Sequence, residues 1–202
     1  MNDFEKALVK YIGEDNFNKI QSVSVGIAGA GGLGSNCAFN LIRSGFENLV
    51  IADFDVVDFS NLDRQFYFYN QIGKPKVEVL KQNLLSINPD ANIKIYNGKL
   101  EKDNVNKVFW GCDIIVEAFD KASYKAMIAE EFIATDKFLV SASGLAGWGN
   151  SDAIKTNKIK DNFYIIGDLI SEVDANLPPI SPRVNIAAAK QADVILEYVL
   201  NK

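Results

Sequence analysis

The sequence predicts an α/β fold, in which a mostly parallel sheet is flanked by helices and carries a short antiparallel addition near the C-terminus. Apolar runs of strand length alternate with segments of helical period along most of the chain, which is typical of βαβ units. A glycine-rich loop follows the first apolar run, where the predicted strand gives way to a helix. The chain has 202 residues, 48% of them hydrophobic, and can therefore bury one complete core.

The elements of the parallel sheet are predicted in chain order from their periodicity and from the residues that end them. Residues 1–21 are expected to form a helical segment in front of the sheet. The predicted strands are, in order, SVSVGIAG, ENLVIADFD, NIKIYNG, CDIIVEAFD and KFLVSASG. The predicted helices are LGSNCAFNLIRSG, KPKVEVLKQNLLSINPD and KASYKAMIAEEFIATD, of which the first two end at Gly45 and Pro89.

The pattern changes from Ala153 onwards. Two short runs, AIKTN and FYIIGD, are separated by the polar KIKD, which indicates an added hairpin or a strand that runs against the sheet. An acidic loop with two prolines follows, and residues 167–181 are too long and too polar for a tight turn. The last helix is predicted to start with Ser181 as its N-cap and Pro182 at N1.

Composition and charge exclude several classes of function. The chain has no histidine and only two cysteines, Cys37 and Cys112, so we expect no zinc site, no disulfide framework and no histidine-based catalysis. Both cysteines are predicted to be packing residues. The net charge of −5 argues against binding of duplex nucleic acid. Neither a signal-peptide profile nor an apolar span of membrane length is found, so the expected location is the cytoplasm, away from membranes.

The glycine loop GAGGLG predicts a phosphate site. Its glycines, Gly29, Gly31, Gly32 and Gly34, match the G-x-G-x-x-G spacing of dinucleotide-binding loops. Such a loop brings the backbone close to a phosphate, and the following helix presents free N–H groups to it. The simpler alternative is a tight turn in which the glycines only serve packing. Asp53 at the end of the second predicted strand favours the nucleotide interpretation, because a carboxylate there can bind a ribose.

Two cations distinguish ATP from NAD as the ligand. Arg64 and Lys76 follow Asp53 in segments that lead back towards the same edge of the predicted sheet. A triphosphate benefits from a bidentate arginine and a lysine, whereas loop amides usually satisfy the pyrophosphate of NAD. The pair therefore favours ATP, although an exposed arginine in a solvated loop remains the simpler interpretation of Arg64.

The segments GAGGLGSN, IADFDVVDFSNLDRQ, GKPK and EAFDKA resemble, in this order and spacing, the adenylyltransferases of the ubiquitin-activating-enzyme superfamily, which includes ThiF, MoeB and HesA proteins. The resemblance spans residues 23–143. It implies one Rossmann-like, ThiF-type nucleotide-binding domain over residues 1–202, with residues 167–181 as a crossover loop. The short chain without zinc-binding cysteine pairs is most similar to the compact ThiF proteins, which activate the sulfur carrier ThiS.

The resemblance also assigns site residues, position by position. The nucleotide-binding residues are Gly29, Gly31, Gly32, Gly34, Asp53, Asn61, Arg64, Gln65 and Lys76. The catalytic residues are Arg64, Lys76 and Asp120, with Asp120 as the Mg²⁺ ligand.

The residues around these positions leave some roles open. Asp120 ends a predicted strand, where ligands gather in open α/β sheets, and a carboxylate there suits Mg²⁺. The alternative role for Asp120 is N-cap of the next helix. Asp55 and Asp58 are each expected to orient Arg64 or to cap a turn.

The resemblance implies ATP-dependent adenylation of the C-terminal glycine of a small ubiquitin-like sulfur carrier protein with a Gly-Gly end, with release of pyrophosphate, in thiamine biosynthesis. The implied cofactors are ATP and Mg²⁺. No cysteine follows Gly167, so sulfur transfer would need a separate donor protein. The N-terminal segment lacks the arginine that related enzymes extend into the partner subunit, and Lys6 or Lys10 could take its place. A homodimer is expected because similar enzymes pair and because the last helix is apolar enough to need covering on more than one side.

Two other classes of function remain open at this point. An NAD-dependent oxidoreductase accounts for the glycine loop and Asp53 but leaves Arg64 and Lys76 without a role. A non-catalytic nucleotide-binding subunit of the same superfamily is the other alternative, and the intact set of Arg64, Lys76 and Asp120 argues against it.

Overall fold

A computed structural model describes residues 1–201 and shows one seven-stranded sheet with helices on both faces. The strands are β1 (Ser24–Ala28), β2 (Asn48–Asp53), β3 (Asn92–Asn97), β4 (Ile114–Glu117), β5 (Phe138–Ala142), β6 (Lys155–Lys160) and β7 (Phe163–Gly167). The helices are α1 (Asp3–Ile12), α2 (Glu14–Gln21), α3 (Gly32–Arg43), α4 (Lys76–Leu85), α5 (Val105–Val108), α6 (Ala122–Phe132) and α7 (Ser181–Leu200). Short 3-10 turns cover Phe59–Asn61, Tyr69–Gln71 and Ser151–Ala153.

The sheet confirms the predicted α/β architecture. Its strand order is β3-β2-β1-β4-β5-β7-β6, and all neighbouring strands are parallel except β6 and β7. The chain runs outwards from β1 to β2 and β3 and then returns to β4 on the other side of β1. In open α/β sheets, ligands bind at such a switch point, outside the carboxyl ends of the strands. The topology therefore directs attention to the loops after β1, β2 and β4.

The core consists of two layers, one on each face of the sheet. On one face, Ile27 and Ile51 pack with residues of α3, α4 and α7. On the other face, Ala28 and Ala52 pack with residues of α5 and α6. Successive strand residues therefore serve opposite layers, which is why these strands are apolar throughout rather than alternating with polar residues.

The antiparallel addition is confirmed, but its first strand is longer than predicted. β6 continues through Lys158 and Ile159 to Lys160, so most of the polar KIKD segment lies inside the strand. Five of the six β6 residues are exposed, since β6 is an edge strand with only β7 beside it. A strand that is solvated in this way has no apolar periodicity to reveal it.

Helix α7 differs from the prediction in its N-cap residue and in how its apolar side is buried. Its N-cap is Ile180 rather than Ser181, and no side chain caps the first turn. The Ser181 hydroxyl instead accepts a hydrogen bond from the side-chain amide of Asn185, at 2.9 Å. The apolar side of α7 packs on α3, α2 and the sheet, while its exposed positions are Pro182, Asn185, Ala189, Asp193 and Glu197. This stripe is mostly polar, so the helix itself gives no reason for a dimer.

Within residues 1–201, each helix is too short or too polar to cross a lipid bilayer.

Candidate functional site

The glycine loop leads from β1 directly into the first turn of α3. Gly31 is the N-cap, and no side chain caps this helix end. The first helical hydrogen bond runs from the N–H of Ser35 to the carbonyl of Gly31, at 3.0 Å. The N–H groups of Gly32, Leu33 and Gly34 therefore precede the helical ladder and have no acceptor four residues earlier. This helix end presents amide donors and a partial positive charge, which suit a phosphate.

The four glycines of the loop have different steric roles. A Cβ on Gly34 would lie 1.8 Å from the carbonyl oxygen of Gly29, and one on Gly29 would lie 2.9 Å from that of Ala118. A Cβ on Gly32 would lie 2.9 Å from a side-chain methyl of Val184. Beside Gly31, by contrast, the nearest atom is the Gln65 amide nitrogen at 4.0 Å. The packing interpretation therefore holds for three glycines, and only Gly31 has open space on its Cβ side.

Asp53 is tied to the glycine loop by its own carboxylate. The side chain is 9% exposed, and its Oδ2 accepts the backbone N–H of Ala30 at 2.6 Å. Oδ1 accepts the N–H of Asp55 at 2.8 Å. On the other side of the loop, the hydroxyl of Tyr67 donates to the carbonyl of Ala30 at 2.7 Å, and burial together with the charge of Asp53 raises the pKa of that hydroxyl. The end of β2 and the loop after β1 thus form one fixed unit.

Arg64 and Gln65 lie against the start of α3. The side-chain amide of Asn36 donates to the carbonyl of Arg64 at 2.8 Å, which fastens this segment to the helix. The guanidinium of Arg64 donates to the carboxylate of Asp63 at 2.7 Å and is a quarter exposed. The side-chain oxygen of Gln65 is buried and accepts no hydrogen bond from any residue within 1–201. The amide nitrogen of the same side chain lies nearest the open side of Gly31, and the unpaired oxygen beside it is a group that a polar ligand would satisfy.

Asn61 and Asp58 cap the short turn that carries this segment. The N–H of Asp58 donates to the side-chain oxygen of Asn61 at 3.0 Å, and the N–H of Ser60 donates to the carboxylate of Asp58 at 2.9 Å. The hydroxyl of Ser60 also donates to this carboxylate, and these bonds hold its pKa below the ordinary value. Of the two roles open for Asp58, the structure thus shows turn capping and no contact with Arg64. The amide nitrogen of Asn61 is not used in this turn.

Lys76 is a buried cation paired with Asp55. Its ammonium group lies 3.0 Å from the carboxylate of Asp55, and 7% of the side chain is exposed. The pair is held because Asp55 and Lys76 also bond through their backbones, at 2.9 Å, next to a bridge between Val56 and Pro75. This ladder brings the start of α4 back to the end of β2. The expectation that Asp55 orients Arg64 or caps a turn is wrong, because its partner is Lys76.

Asp120 lies beyond the end of its strand and remains unpaired. β4 ends at Glu117, so Asp120 stands in the turn before α6 rather than in the predicted strand. The alternative role as helix N-cap is wrong, since Lys121 occupies that position and no side chain caps α6. Asp120 is exposed, and it forms no hydrogen bond or ion pair with the residues described. It is a free carboxylate in the turn that begins at Ala118, on which Gly29 packs.

A buried carboxylate that sequence reasoning missed fixes this turn. Glu117 is 1% exposed, and the N–H of Phe119 donates to it at 2.7 Å. The ammonium group of Lys125 on α6 lies 3.1 Å from the same carboxylate and also donates to the carbonyl of Ala142. The hydroxyl of Ser141 donates to it as well. The available signal was a single acidic residue inside the apolar run IIVEAF, which suggests a paired, buried charge.

A second missed pair joins the loops at the far side of the site. A guanidinium nitrogen of Arg183, which is 5% exposed, lies 2.6 Å from the carboxylate of Asp168. Burial raises the pKa of Asp168, but the N–H groups of Ser171 and Ile170, which donate to its carboxylate, and Arg183 outweigh burial and hold this pKa below its ordinary value. The two residues are 15 positions apart and belong to no short motif, so spacing alone does not reveal the pair.

The side chains of the site suit an Mg²⁺ ion that is bound together with a nucleotide. They do not suit a metal ion that is held by protein ligands alone. Within residues 1–201, no three His, Cys, Asp or Glu side chains stand together as a metal site. Mg²⁺ at nucleotide sites is commonly held by one or two carboxylates plus phosphate oxygens, and Asp120 offers one such ligand. Cys37 and Cys112 are both buried, which confirms them as packing residues, and burial raises the pKa of each thiol.

The comparisons with known sequences identify relatives over most of the chain. A model of the ThiF family matches residues 5–176. SUMO-activating enzyme subunit 2 of Dictyostelium discoideum is 30% identical over 161 residues, which are 78% of this chain and 24% of that protein. The tRNA threonylcarbamoyladenosine dehydratase of Bacillus subtilis (strain 168) is 30% identical over 137 residues, 67% of this chain and 54% of its own length. The probable molybdopterin-synthase adenylyltransferase of Porphyra purpurea is 34% identical over 120 residues, 59% of this chain and 31% of its own length.

Solved structures share the fold over nearly the whole chain. The E. coli tRNA N6-threonylcarbamoyladenosine dehydratase TcdA in complex with AMP has a TM-score of 0.81 and 18% identity, covering 97% of this chain and 92% of the other. E. coli MccB with AMPCPP and MccA has a TM-score of 0.74 and 20% identity, covering 92% and 58%. At this identity the likeness establishes the fold alone. The curated relatives are longer, since this chain spans between 24% and 54% of their lengths.

Proposed function

This chain belongs to the ThiF family, and from that premise we propose that it is an adenylyltransferase that activates the C-terminal glycine of a small ubiquitin-like sulfur carrier of the ThiS type. The observation that carries the proposal is the contact between α3 and the segment of Arg64: Asn36 holds the backbone of Arg64 against Gly32, and the side chain of Gln65 lies nearest the open side of Gly31. An anion-binding helix end and an arginine are thereby combined in one place. This combination suits a nucleotide triphosphate.

The protein residues bind and align ATP in this proposal. The amides at the start of α3 and the guanidinium of Arg64 hold phosphate oxygens, and the carboxylate of Asp53 accepts a ribose hydroxyl through lone pairs that Ala30 and Asp55 leave free. Gln65 satisfies its buried oxygen with a hydroxyl of the nucleotide. Lys76, which Asp55 holds in a fixed position, faces the triphosphate as a point charge. The unused amide nitrogen of Asn61 is a further donor.

The reaction needs no nucleophile from the protein. A carboxylate oxygen of the carrier's terminal glycine attacks the α-phosphorus, a carboxyl–phosphate bond forms, and the bond to the bridging oxygen of pyrophosphate breaks. The carboxylate is already ionised near pH 7, so no general base is required. Mg²⁺ bound at Asp120 would neutralise charge on the phosphates. Arg64 and Lys76 stabilise the charge that builds on the α-phosphate and the leaving pyrophosphate.

The carrier and the wider assembly are also proposals. One relative is named for SUMO activation and another for molybdopterin synthase, and a structural neighbour was solved with MccA. We extend this to a ThiS-type carrier with a Gly-Gly end in thiamine biosynthesis, with a separate sulfur donor protein. We further propose that residues 1–202 act as one ThiF-type domain, that the protein is cytoplasmic, and that two copies form a homodimer.

The loop between β7 and α7 is proposed to guide the carrier's tail. It begins at the carboxyl end of β7, on the same edge of the sheet as the glycine loop. Asp168, Ser171 and Leu177 each contact the loop after β5, so the two loops form a joint wall. A wall at this edge excludes water from a mixed anhydride that hydrolyses readily.

The two alternative functions are weaker on specific grounds. Membership in the ThiF family removes the reason to assign an NAD-dependent oxidoreductase to the glycine loop. For a non-catalytic partner subunit, the paired Lys76, the fastened Arg64 and the free Asp120 would have no purpose.

The test is ATP–pyrophosphate exchange with purified carriers. We expect exchange with a ThiS-type carrier that ends in Gly-Gly and none with the same carrier lacking its last glycine. A molybdopterin-type carrier and bulk tRNA serve as competing substrates. Exchange with one of these and not with the ThiS-type carrier would refute the thiamine assignment, and exchange with no substrate would refute adenylation.

A further inference from the structure

Two loops after β5 and β7 are joined along their length. The first covers residues 144–150, and the second covers residues 168–180. The N–H of Gly147 donates to the carbonyl of Pro178 at 2.9 Å, and the N–H of Ala146 donates to the hydroxyl of Ser171 at 3.2 Å. We call these two segments the loop pair. The loop pair begins directly beyond the two strands, where the N–H of Leu169 donates to the carbonyl of Ser143 at 3.3 Å and the N–H of Asp168 donates to the carbonyl of Gly144 at 3.1 Å.

Arg183 fastens the loop pair to α7. One guanidinium nitrogen binds the carboxylate of Asp168, and the other donates to the carbonyl of Gly149 at 2.9 Å. The fork of the guanidinium therefore spans both loops from one buried side chain. A lysine carries the same charge but has no such fork, so it cannot hold both partners in this geometry.

The two loops of the loop pair pack so closely that neither can shift against the other. A Cβ on Gly144 would lie 2.0 Å from the carboxylate of Asp168, and one on Gly167 would lie 1.6 Å from the carbonyl oxygen of Ser143. Gly144 has a φ of +77°, a conformation that favours glycine. The carboxylate of Asp168 thus fills a slot that only glycine leaves open.

The next residue of the same helix turn contacts the nucleotide loop. A methyl group of Val184 lies 2.9 Å from the position that a Cβ on Gly32 would take. Arg183 and Val184 are consecutive, so the first turn of α7 contacts the loop pair with one residue and the start of α3 with the other. This turn sets the distance between the phosphate-binding loop and the loops at the ends of β5 and β7.

We propose that Arg183 and Asp168 are positioning residues, which hold the loop pair in register with the glycine loop so that the carrier's terminal carboxylate meets the α-phosphate. This inference rests on the proposed carrier adenylation. It predicts that loss of this ion pair leaves ATP binding intact but misplaces the second substrate. The reason is that the hydrogen bonds and the ion pair of Arg183 go to Asp168, Gly149 and Asn150 rather than to the nucleotide site. If the carrier's carboxylate is displaced by about 1 Å, the rate of adenylation falls on the order of a hundredfold.

The experiment compares Asp168→Asn, Arg183→Met and Arg183→Lys with the wild type. The probe is a ThiS-type carrier ending in Gly-Gly. ATP affinity is measured by titration calorimetry, and kcat/KM for the carrier by pyrophosphate exchange. We expect Arg183→Met and Asp168→Asn to lower kcat/KM for the carrier by about tenfold to a hundredfold. The ATP affinity should stay unchanged, and a larger share of the acyl adenylate should be hydrolysed to free AMP. Arg183→Lys is expected to recover part of this loss.

Two further variants serve as a control and as a milder change to the loop pair. Lys102→Gln removes an exposed ion pair with Glu130, away from the loop pair, and should behave as wild type. Ser171→Ala removes the acceptor of the Ala146 N–H and tests the loop pair without a buried change, should Arg183→Met fail to fold. The inference is overturned if the folded variants keep wild-type kcat/KM for the carrier, or if ATP affinity falls in the same proportion. A wild type without carrier-dependent exchange would instead refute the proposed function.

Discussion

At the scale of single residues, the glycines of one loop divide into those that pack and one that leaves room for a ligand. Gly34 allows α3 to approach β1, whereas Gly31 has open space beside it and a negative φ of −78°. A sequence motif treats these glycines as equivalent. Their contacts, however, predict that a change to alanine lowers stability at Gly34 and ligand binding at Gly31.

We expect Gly34→Ala to cost about 3 kcal/mol or more in free energy of unfolding, because its methyl group would overlap the carbonyl of Gly29 and force a backbone shift. Gly31→Ala should cost about 1 kcal/mol or less, since alanine is only a poorer N-cap, but it should weaken ATP binding. Urea denaturation and ATP titration of both variants measure the two effects. Equal stability losses in the two variants would contradict this division.

Arg64→Ala and Lys76→Ala should lower the rate of adenylate formation by about 10² to 10³, because each removes a charge that the proposed mechanism directs at the phosphates. The fold should persist, since the guanidinium of Arg64 is partly solvated and the Asp55 carboxylate that Lys76 leaves behind is about half exposed. Lys74→Ala, at an exposed position next to the same helix, is the matched control. Near-normal pyrophosphate exchange in folded Arg64 and Lys76 variants would remove both residues from the site.

At the scale of elements, apolar periodicity predicted the βαβ order and the antiparallel addition because buried strands and amphipathic helices have distinct periods. It failed where burial does not shape the sequence. β6 is solvated and polar, so part of it resembled a loop. Likewise, the ion pairs of Glu117 with Lys125 and of Asp168 with Arg183 join residues that only tertiary folding brings together. The glycine loop, Arg64, Lys76 and Asp120 could be proposed because each falls within a short motif.

The loop between β7 and α7 is expected to act on the carrier rather than on ATP. Replacing residues 172–177 by a glycine–serine linker of equal length removes the Asp174 turn and the contact of Leu177 with Gly147. ATP binding should remain, while carrier adenylation fails or the adenylate is lost to water. Asp161→Gly, which changes a fully exposed side chain between β6 and β7, is the control. Unchanged carrier-dependent exchange and adenylate lifetime would make this segment an ordinary surface loop.

At the scale of the whole molecule, ATP with Mg²⁺ should stabilise the fold and NAD should not. In the proposed site, only a triphosphate would engage Arg64, Lys76 and Asp120 together. At about 100 times its Kd, ATP should add roughly 2.7 kcal/mol to the free energy of unfolding. Thermal-shift titrations with each ligand, with and without Mg²⁺, measure this, and Asp120→Asn should remove the part that depends on the metal. Equal stabilisation by NAD would contradict the ATP assignment.

The proposed homodimer needs a surface other than α7, whose exposed stripe is mostly polar. Phe59 and Tyr69, on either side of Arg64 in the sequence, are exposed, and their rings contact each other at 5.8 Å between centroids. Exposed apolar patches of this kind mark interaction sites. Light scattering at tens of micromolar should therefore report a dimer, and Phe59→Ser should shift it towards monomer. A monomeric wild type would refute the dimer.

The lysines of β6 have a consequence beyond the active site. An edge strand carries a row of unpaired backbone N–H and C=O groups, onto which a strand of another molecule can add. Lys155, Lys158 and Lys160 give this edge three positive charges, so a second copy that approached edge to edge would meet its own charge. The β6 edge of the sheet is thereby a poor template for the same edge of a second copy.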